Sequence, residues 1–279
     1  MQRASIRLLI FISFVALRAD AQPFKPYSEL GPMGGVSYYM GELNPGRQFF
    51  MPRGGGGLVF RHSHSPRWTW RIHALYMGVQ ADDALSDVPA QIQRNLSFRS
   101  VVLEFSPMLE FNFFPYEVGN PETPATPFIF GGFALFRFNP QAELNGEWIP
   151  LQPLGTEGQG ASAYPDKKPY SLINATFPFG FGFKFHAFGR LGVSLEWGLR
   201  RTFTDYLDDV STTYADRDIL FATHGVQSAL LADRSLVNPG DINTGRQRGN
   251  PSNNDWYGFA GLTLSYKLMK RKPQCAAYQ

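Results

Sequence analysis

Residues 177–187 read FPFGFGFKFHA and carry the clearest structural signal in the chain. Phenylalanine occupies every odd position from 177 to 185, whereas the even positions hold Pro, Gly, Gly, Lys and His. Side chains that repeat every second residue are typical of a β-strand, and no helix brings these rings onto one face. Residues 191–200 repeat the alternation, with Leu, Val, Leu, Trp and Leu on one side. Only Phe188, Gly189 and Arg190 link the two segments, which predicts a tight hairpin.

The same alternation predicts six further strands, which brings the number to eight. They centre on residues 36–40, 58–60, 68–76, 101–111, 128–138 and 256–266. We expect each to reach the roughly 9–11 residues that a tilted membrane-spanning strand needs. In segment 128–138 the apolar face is expected to hold five residues, with Arg137 on the opposite face: Phe128, Phe130, Ala134, Phe136 and Phe138.

The two faces of these strands differ in a way that favours a membrane barrel. One face is almost purely Phe, Leu, Val and Trp, and the other collects eight charged residues: Arg71, Glu104, Glu110, Arg137, Lys184, Glu196, Arg200 and Lys267. A soluble barrel cannot bury so many charges cheaply, whereas a membrane barrel turns its polar face inward. The sequence therefore predicts an all-β, eight-stranded antiparallel transmembrane barrel of the outer-membrane type. We expect its interior to be plugged by paired charges; the alternative is a soluble secreted β-sandwich.

The connections between the predicted strands alternate in length. The second, fourth and sixth are short (62–66, 115–126 and 188–190), whereas the fifth and seventh run over 139–169 and 204–254. Outer-membrane barrels have short periplasmic turns and long outer loops, so both termini are expected in the periplasm. No repeat or change of composition divides residues 22–279, which predicts one barrel domain with a short periplasmic C-terminal tail.

The N-terminal segment has the features of a signal peptide. Arg3 and Arg7 precede the apolar run LLIFISFVAL at 8–17, and Ala19-Asp20-Ala21 has the small-x-small pattern of a cleavage site. Residues 1–21 are therefore expected to direct export. An uncleaved anchor is the alternative, but the run is too short for a helix that spans about 30 Å of hydrocarbon.

Composition narrows the possible function classes. The 279 residues are 15% aromatic and 18% charged, which argues against disorder and against a coiled coil. The formal net charge is only +3, and nucleic-acid binding is not expected because it needs a basic excess on one surface. The single cysteine excludes an intramolecular disulfide.

Candidate chemical sites are few. The acidic run DYLDD at 205–209 lacks the D-x-D-x-D-G spacing of a calcium loop, so loop–loop pairing is the preferred interpretation over a metal or paired-carboxylate site. The Gly-rich run GTEGQG at 155–160 lacks the Lys-Ser/Thr that contacts phosphate and predicts a tight loop. The sequence shows no nucleophile–base motif. We expect no catalytic residue, metal or cofactor.

Several loop motifs resemble one known family. They are ELG at 29–31, GELNP at 41–45, LQPLGTEGQG at 151–160, RRTFTDYLDDVS at 200–211 and DWY at 255–257. Together they resemble the PorG family, the outer-membrane β-barrel component of the type IX secretion system of Bacteroidota. The resemblance covers essentially the whole mature chain. It marks ten loop residues as family motifs: Gly155, Thr156, Glu157, Gly158, Gln159, Gly160, Asp205, Tyr206, Asp208 and Asp209.

The resemblance implies a non-enzymatic role in protein export. Members of this family lie in the outer membrane and associate with a periplasmic ring built from a PorK-like lipoprotein and a PorN-like protein. Secretion of cargo with a C-terminal sorting domain, and in some bacteria gliding motility, depends on this machine. Two alternatives remain open: a barrel enzyme, such as a protease or lipid hydrolase, and an OmpA-like structural barrel.

Cys275 lies beyond the last predicted strand, in the basic tail KLMKRKPQCAAYQ at 267–279. An unpaired cysteine in an exported protein is typical of an intermolecular disulfide or a reactive thiol, and the nearby lysines and arginine favour the thiolate. We therefore predict that Cys275 forms a disulfide with a ring subunit. An incidental residue in a frayed tail is the alternative.

Overall fold

The computed structural model describes residues 24–237 and 242–268, which contain eleven strands and three short helices. The strands are β1 (Tyr27–Met40), β2 (Arg53–Ser63), β3 (Trp68–Asp82), β4 (Ser97–Asn112), β5 (Ala125–Gly132), β6 (Ala134–Arg137), β7 (Pro140–Leu144), β8 (Glu147–Pro150), β9 (Ile173–Phe188), β10 (Leu191–Thr202) and β11 (Trp256–Lys267). The helices are α1 (Pro89–Arg94), α2 (Arg217–His224) and α3 (Val226–Ala232). Within this part of the chain, no helix has the length and apolarity to cross a membrane. The predicted signal peptide at 1–21 and Cys275 lie outside the described residues.

The strands close into a ring of antiparallel neighbours. Each strand from β1 to β4 pairs with the next, β9 pairs with β10, and β10 pairs with β11, which returns to β1. β5 and β6 together fill the remaining position, because both pair with β4 on one side and with β9 on the other. The described residues therefore form an eight-membered ring, and the prediction of an all-β antiparallel fold with eight strands in the ring is confirmed. β7 and β8 form a hairpin outside this count.

The break between β5 and β6 has a local cause. The amide of Phe133 donates to the carbonyl oxygen of Pro107 on β4 at 3.2 Å. Pro107 has no amide hydrogen to return the second hydrogen bond of the ladder. Pairing with β4 therefore stops after Gly132 and resumes at Leu135.

Long and short connections lie at opposite ends of the ring. The connections that follow β1, β3, β6 and β10 carry the helices and the β7–β8 hairpin, and we call their side the loop end. The short connections after β2, β4 and β9 form the turn end. The predicted hairpin between β9 and β10 is confirmed: Phe188 pairs with Leu191, and Gly189 has a positive φ of 55°. Glycine tolerates that conformation because it has no Cβ.

Most predicted faces are observed, but one segment is reversed. Phe177, Phe179, Phe181 and Phe183 of β9 are exposed on the outside of the ring, and Lys184 is buried inside it. In segment 128–138, by contrast, the residues expected on the outer face point inward and are buried: Phe128, Phe130, Ala134, Phe136 and Phe138. Arg137, expected in the lumen, is exposed on the outer side.

The reversal follows from packing between neighbouring strands, because Phe128 and Phe130 of β5 pair directly with Gly182 and Gly180 of β9. A Cβ added to Gly182 would lie 2.5 Å from Cζ of Phe128, and one added to Gly180 would lie 2.7 Å from Cζ of Phe130; both would also lie within 2.4 Å of a carbonyl oxygen of β10. The glycines of β9 thus leave room inside the barrel for the phenylalanine rings of β5. Segment 128–138 also carries apolar Ile129 and Leu135 on its exposed side, so alternation of polarity does not identify its inner face.

Candidate functional site

A buried ionic cluster fills the half of the lumen nearer the turn end. The guanidinium of Arg71 contacts Oε2 of Glu110 at 3.2 Å and Oε2 of Glu196 at 2.5 Å. Arg61 approaches the same carboxylates at 3.5 and 3.6 Å, and the ammonium of Lys184 binds Oε1 of Glu110. We call these five residues the lumen network. Because all five side chains are buried, each charge depends on its partners for the solvation that water would otherwise supply.

A second ion pair lies closer to the loop end. Nε of Arg200 is 3.2 Å from Oε2 of Glu104, which also accepts a hydrogen bond of 2.8 Å from the hydroxyl of Tyr257. At the turn end, Lys267 binds Glu117 at 2.8 Å and is only partly buried. Of the eight charges expected in the lumen, the structure pairs six inside it: Arg71, Glu104, Glu110, Lys184, Glu196 and Arg200.

The sequence reasoning overlooked two buried lumen charges. Arg61 alternates with outward-facing Leu58 and Phe60, so the period of β2 already predicted that it points inward. Glu29 is buried on β1, where Oε2 accepts a hydrogen bond of 2.5 Å from the hydroxyl of Ser265. Both residues could have been predicted to point into the lumen, because each alternates along its strand with apolar residues that face outward.

The two long loop motifs contact one another at the loop end. The carboxylate of Glu157 accepts hydrogen bonds from the amides of Ser211 and Thr212 at 2.9–3.1 Å and is 3.1 Å from the guanidinium of Arg248. The hydroxyl of Thr156 donates to Oδ2 of Asp209 at 2.5 Å. The run 155–160 is therefore joined to the run 205–209 through buried polar contacts. Burial raises the pKa of Asp209 to about 6, although Arg248 and Thr156 oppose the change.

Aromatic stacking extends these contacts into the lumen. The ring of Tyr170 stacks on Tyr206 with centroids 4.5 Å apart, and Phe138 stacks on its other side at 6.2 Å. The hydroxyl of Tyr170 donates to Oδ1 of Asp209 at 2.7 Å. The motif loops therefore close the loop end of the barrel as one packed unit with inward-facing side chains of the wall.

Four carboxylates meet beside these loops, and we call them the acidic cluster: Glu42, Asp205, Asp208 and Asp255. Carboxylate oxygens of Glu42, Asp208 and Asp255 all lie within 4.8 Å of one another. The hydroxyl of Tyr39 is 2.6 Å from Oδ2 of Asp208 and 2.7 Å from Oδ1 of Asp255. The backbone amide of Leu207 donates to the other oxygen of Asp255 at 2.9 Å.

The protonation of the acidic cluster is strongly perturbed. Burial, followed by the charge of Asp205, raises the pKa of Glu42 to about 7. Burial likewise raises the pKa of Asp205 to about 7. For Asp208 and Asp255, burial and then the neighbouring carboxylates hold the pKa well above the usual range. Four carboxylates in a buried space therefore resist holding four negative charges.

The sequence analysis singled out Asp205 and Asp208, whereas Glu42 and Asp255 lay in the motif strings GELNP and DWY without being assigned to a site. Glu42 follows the end of β1, and Asp255 precedes the start of β11. In a barrel of antiparallel strands, the end of β1 and the start of β11 lie at the same end of the barrel as the loop after β10, which carries Asp205 and Asp208. That topology was the available signal for bringing the four residues together.

Comparisons with known proteins give a family and several similar folds. Residues 3–149 match a family model described as "Domain of unknown function (DUF6089)". No curated protein matches the sequence. Among solved structures, Neisserial surface protein A is similar with a TM-score of 0.40, at 7% identity over 87% of this chain and 97% of that chain. Ail, the attachment invasion locus protein of Yersinia pestis, has a TM-score of 0.37 at the same identity and coverages. The N-terminal β-barrel domain of Pseudomonas aeruginosa OprF has a TM-score of 0.34, at 7% identity over 87% and 100%.

Proposed function

This chain belongs to the DUF6089 family, and we propose that it is a non-enzymatic β-barrel of the bacterial outer membrane. We further propose that it anchors the periplasmic ring of a type IX secretion machine, with a PorK-like lipoprotein and a PorN-like protein as its partners. The observation that carries the membrane location is the apolar outer surface of the ring. The observation that carries the secretion role is the resemblance of the loop motifs to the PorG family.

The outer surface favours lipid over water as its surroundings. Each of the eight strand positions in the described ring exposes large apolar side chains on its outer face. Examples, in chain order, are Val36, Leu58, Trp70, Phe105, Leu135, Phe181, Leu195 and Leu262. Trp70 is 60% exposed and Phe181 is 55% exposed. Soluble monomers rarely expose a contiguous apolar patch of more than a few hundred Å². An inverted arrangement, with charges inside and apolar residues outside, is typical of outer-membrane barrels.

The filled lumen supports an anchoring role over a conducting one. Arg61 and Arg71 are fully buried in the half of the lumen nearer the turn end, where they contact Glu110 and Glu196. An eight-stranded barrel has room only for side chains. Since a folded or extended cargo chain could not pass such an interior, the barrel fits the part of an export machine that fixes other components to the membrane.

The orientation follows from the lengths of the connections. Outer-membrane barrels have short periplasmic turns and long outer loops, so the turn end is assigned to the periplasm. There, Lys267 binds Glu117 and the carbonyl oxygen of Val118, which holds the turn after β4 against the end of β11. This surface is the one available to a periplasmic ring.

Deleting the gene tests the secretion role. Export of cargo that carries a C-terminal sorting domain is expected to stop and to return when the wild-type gene is restored. PorK-like and PorN-like proteins are expected to co-purify with the tagged barrel from detergent-solubilised membranes. Normal export in the deletion strain would exclude the machine role and leave an OmpA-like structural barrel.

Assays of purified protein test the non-enzymatic assignment. A panel of fluorogenic peptides and lipid esters is expected to give no turnover above that of a preparation without the barrel. Turnover that disappears in Asp208→Ala would instead establish a barrel enzyme, since Asp208 lies in the acidic cluster.

A further inference from the structure

The acidic cluster lies where three strands of the ring meet the loops. Glu42 follows β1, Asp205 and Asp208 follow β10, and Asp255 immediately precedes β11. These strands are neighbours, since Trp256 pairs with both Met40 and Arg201. A ligand bound by the cluster would therefore tie three separate chain segments together at the mouth of the barrel.

The acidic cluster has too little positive charge around it. The charge of Arg94 acts on Asp208, and its guanidinium also donates to the backbone carbonyl oxygen of Glu42 at 3.0 Å. That guanidinium is already bound by both oxygens of Asp83, at 2.7 and 2.9 Å. Buried carboxylates are ordinarily paired, protonated or bound to a metal ion.

The hydrogen-bond donors around the cluster do not reach all of its oxygens. Backbone amides of Val210, Leu207 and Asn250 donate to Asp208, Asp255 and Glu42, respectively. The hydroxyl of Tyr39 has one hydrogen but lies within 2.7 Å of oxygens from both Asp208 and Asp255. A phenol donates to only one acceptor, so the second close contact requires a proton on that carboxyl group or a cation beside it.

Asp205 gives an independent reason to expect a ligand. The residue is only 7% exposed, and neither of its carboxylate oxygens has a partner with good hydrogen-bond geometry among the described residues, although the side chain of Ser211 lies near enough to lower its pKa. Its charge acts directly on Glu42, whose Oε2 is buried and likewise unpartnered within residues 24–237 and 242–268. Unsatisfied buried acceptors are costly and call for an explanation, such as an ion.

We propose that the acidic cluster binds a divalent cation and that Ca²⁺ is the ion it fits. The donors are carboxylate oxygens without nitrogen or sulfur, which suits a hard cation rather than zinc or copper. Ca²⁺–oxygen distances of about 2.3–2.6 Å place two ligands of one ion up to about 5 Å apart. The oxygens of Glu42, Asp208 and Asp255, which lie within 4.8 Å of one another, fit that limit. This site does not rest on the secretion role.

Calorimetric titration with CaCl₂ tests the site. The full-length protein is folded in a nonionic detergent, which has no phosphate to bind the ion, and is then stripped with a chelator. We expect a dissociation constant of about 10⁻⁴–10⁻³ M, as in extracellular calcium sites. Asp205→Asn is expected to weaken binding at least tenfold. Asp218→Asn, an exposed acid of α2 at the same end, is the matched control and is expected to bind as the wild type does.

Thermal unfolding gives a second readout that separates binding from misfolding. The wild type and Asp218→Asn are expected to unfold at a higher temperature in 5 mM CaCl₂ than in chelator, whereas Asp205→Asn is expected to unfold at the same temperature in both. If Asp205→Asn does not fold, Glu42→Gln, a change at a partly exposed residue, replaces it. Equal calcium responses in wild type and cluster variant, or no response in the wild type, would overturn the proposal. A response to MgCl₂ equal to that to CaCl₂ would overturn the choice of Ca²⁺.

Discussion

The lumen and the acidic cluster both bury charged side chains, but they balance them differently. Within the described residues, the lumen holds four basic and four acidic groups: Arg61, Arg71, Lys184, Arg200, Glu29, Glu104, Glu110 and Glu196. The acidic cluster, at the loop end of the same barrel, holds four carboxylates against the charge of Arg94, which is itself bound by Asp83. The charges of the lumen are equal in number and opposite in sign, whereas those of the cluster are not.

This difference separates a structural role from a binding role. Breaking a balanced buried ion pair leaves an unsolvated charge, so the lumen network holds the walls of the barrel together. Removing one of several like charges relieves repulsion instead. Substitutions in the two regions are therefore expected to change stability in opposite directions, and four predictions test that contrast.

The largest effect is expected from Glu110→Gln. This change removes the carboxylate that Arg61, Arg71 and Lys184 share, and it should lower the free energy of unfolding by about 3–5 kcal/mol. Urea unfolding in lipid vesicles, followed by tryptophan fluorescence, measures it. Glu147→Gln, on the exposed β7–β8 hairpin, is the control. Equal stabilities of the two variants would show that the lumen charges do not depend on one another.

The second prediction concerns the apolar outer surface of the barrel. Phe181 lies near the middle of β9 and faces outward. Phe181→Arg is expected to cost about 2–4 kcal/mol, because it places a charge near the midplane of the bilayer. Phe181→Leu keeps the position apolar and serves as the control. If arginine is tolerated as well as leucine in the same unfolding assay, the outer face does not contact hydrocarbon.

A smaller effect is expected from the packing beside the lumen network. Gly182→Ala adds a Cβ 2.5 Å from Cζ of Phe128, and overpacking of this kind costs about 1–3 kcal/mol. Gly54→Ala, where the added Cβ meets nothing within 4 Å, is the matched control. Combining Gly182→Ala with Phe128→Leu should recover part of the loss in a double-mutant cycle. Strictly additive effects would mean that the side chains at these two paired positions do not contact each other.

The smallest effect is expected from the acidic cluster, and its sign is opposite. In the presence of chelator, Asp205→Asn should stabilise the protein by about 1 kcal/mol, because it removes a negative charge and supplies a hydrogen-bond donor. The same urea titration measures it, with Asp218→Asn as the reference. A loss of stability as large as that of Glu110→Gln would mean that the charge of Asp205 is already compensated.

The sequence was sufficient where the two faces of a strand differ in chemistry. In β9 the outward phenylalanines alternate with proline, glycine and lysine. The two-residue period therefore identifies both the strand and the side of it that faces the lumen. In segment 128–138 both faces are apolar, and the inner face depends on glycines of β9, about 50 residues away. Arg137 was therefore placed on the wrong side.

The eight strands of the ring, their antiparallel arrangement and the ends at which the loops lie follow from alternation and connection length, which are local properties of the chain. The β7–β8 hairpin and the three α-helices were not predicted. Tertiary structure alone decided which side chains meet. Glu42 and Asp255 are more than 200 residues apart, and they come together only because β11 closes the ring against β1. Closure of the ring also fills the lumen. There, Arg71 of β3 pairs with Glu110 of β4 and with Glu196 of β10, a strand that is far from β3 in the sequence. The sequence of a single strand shows its alternation but not which side chains it will contact, because burial and charge balance are properties of the assembled barrel.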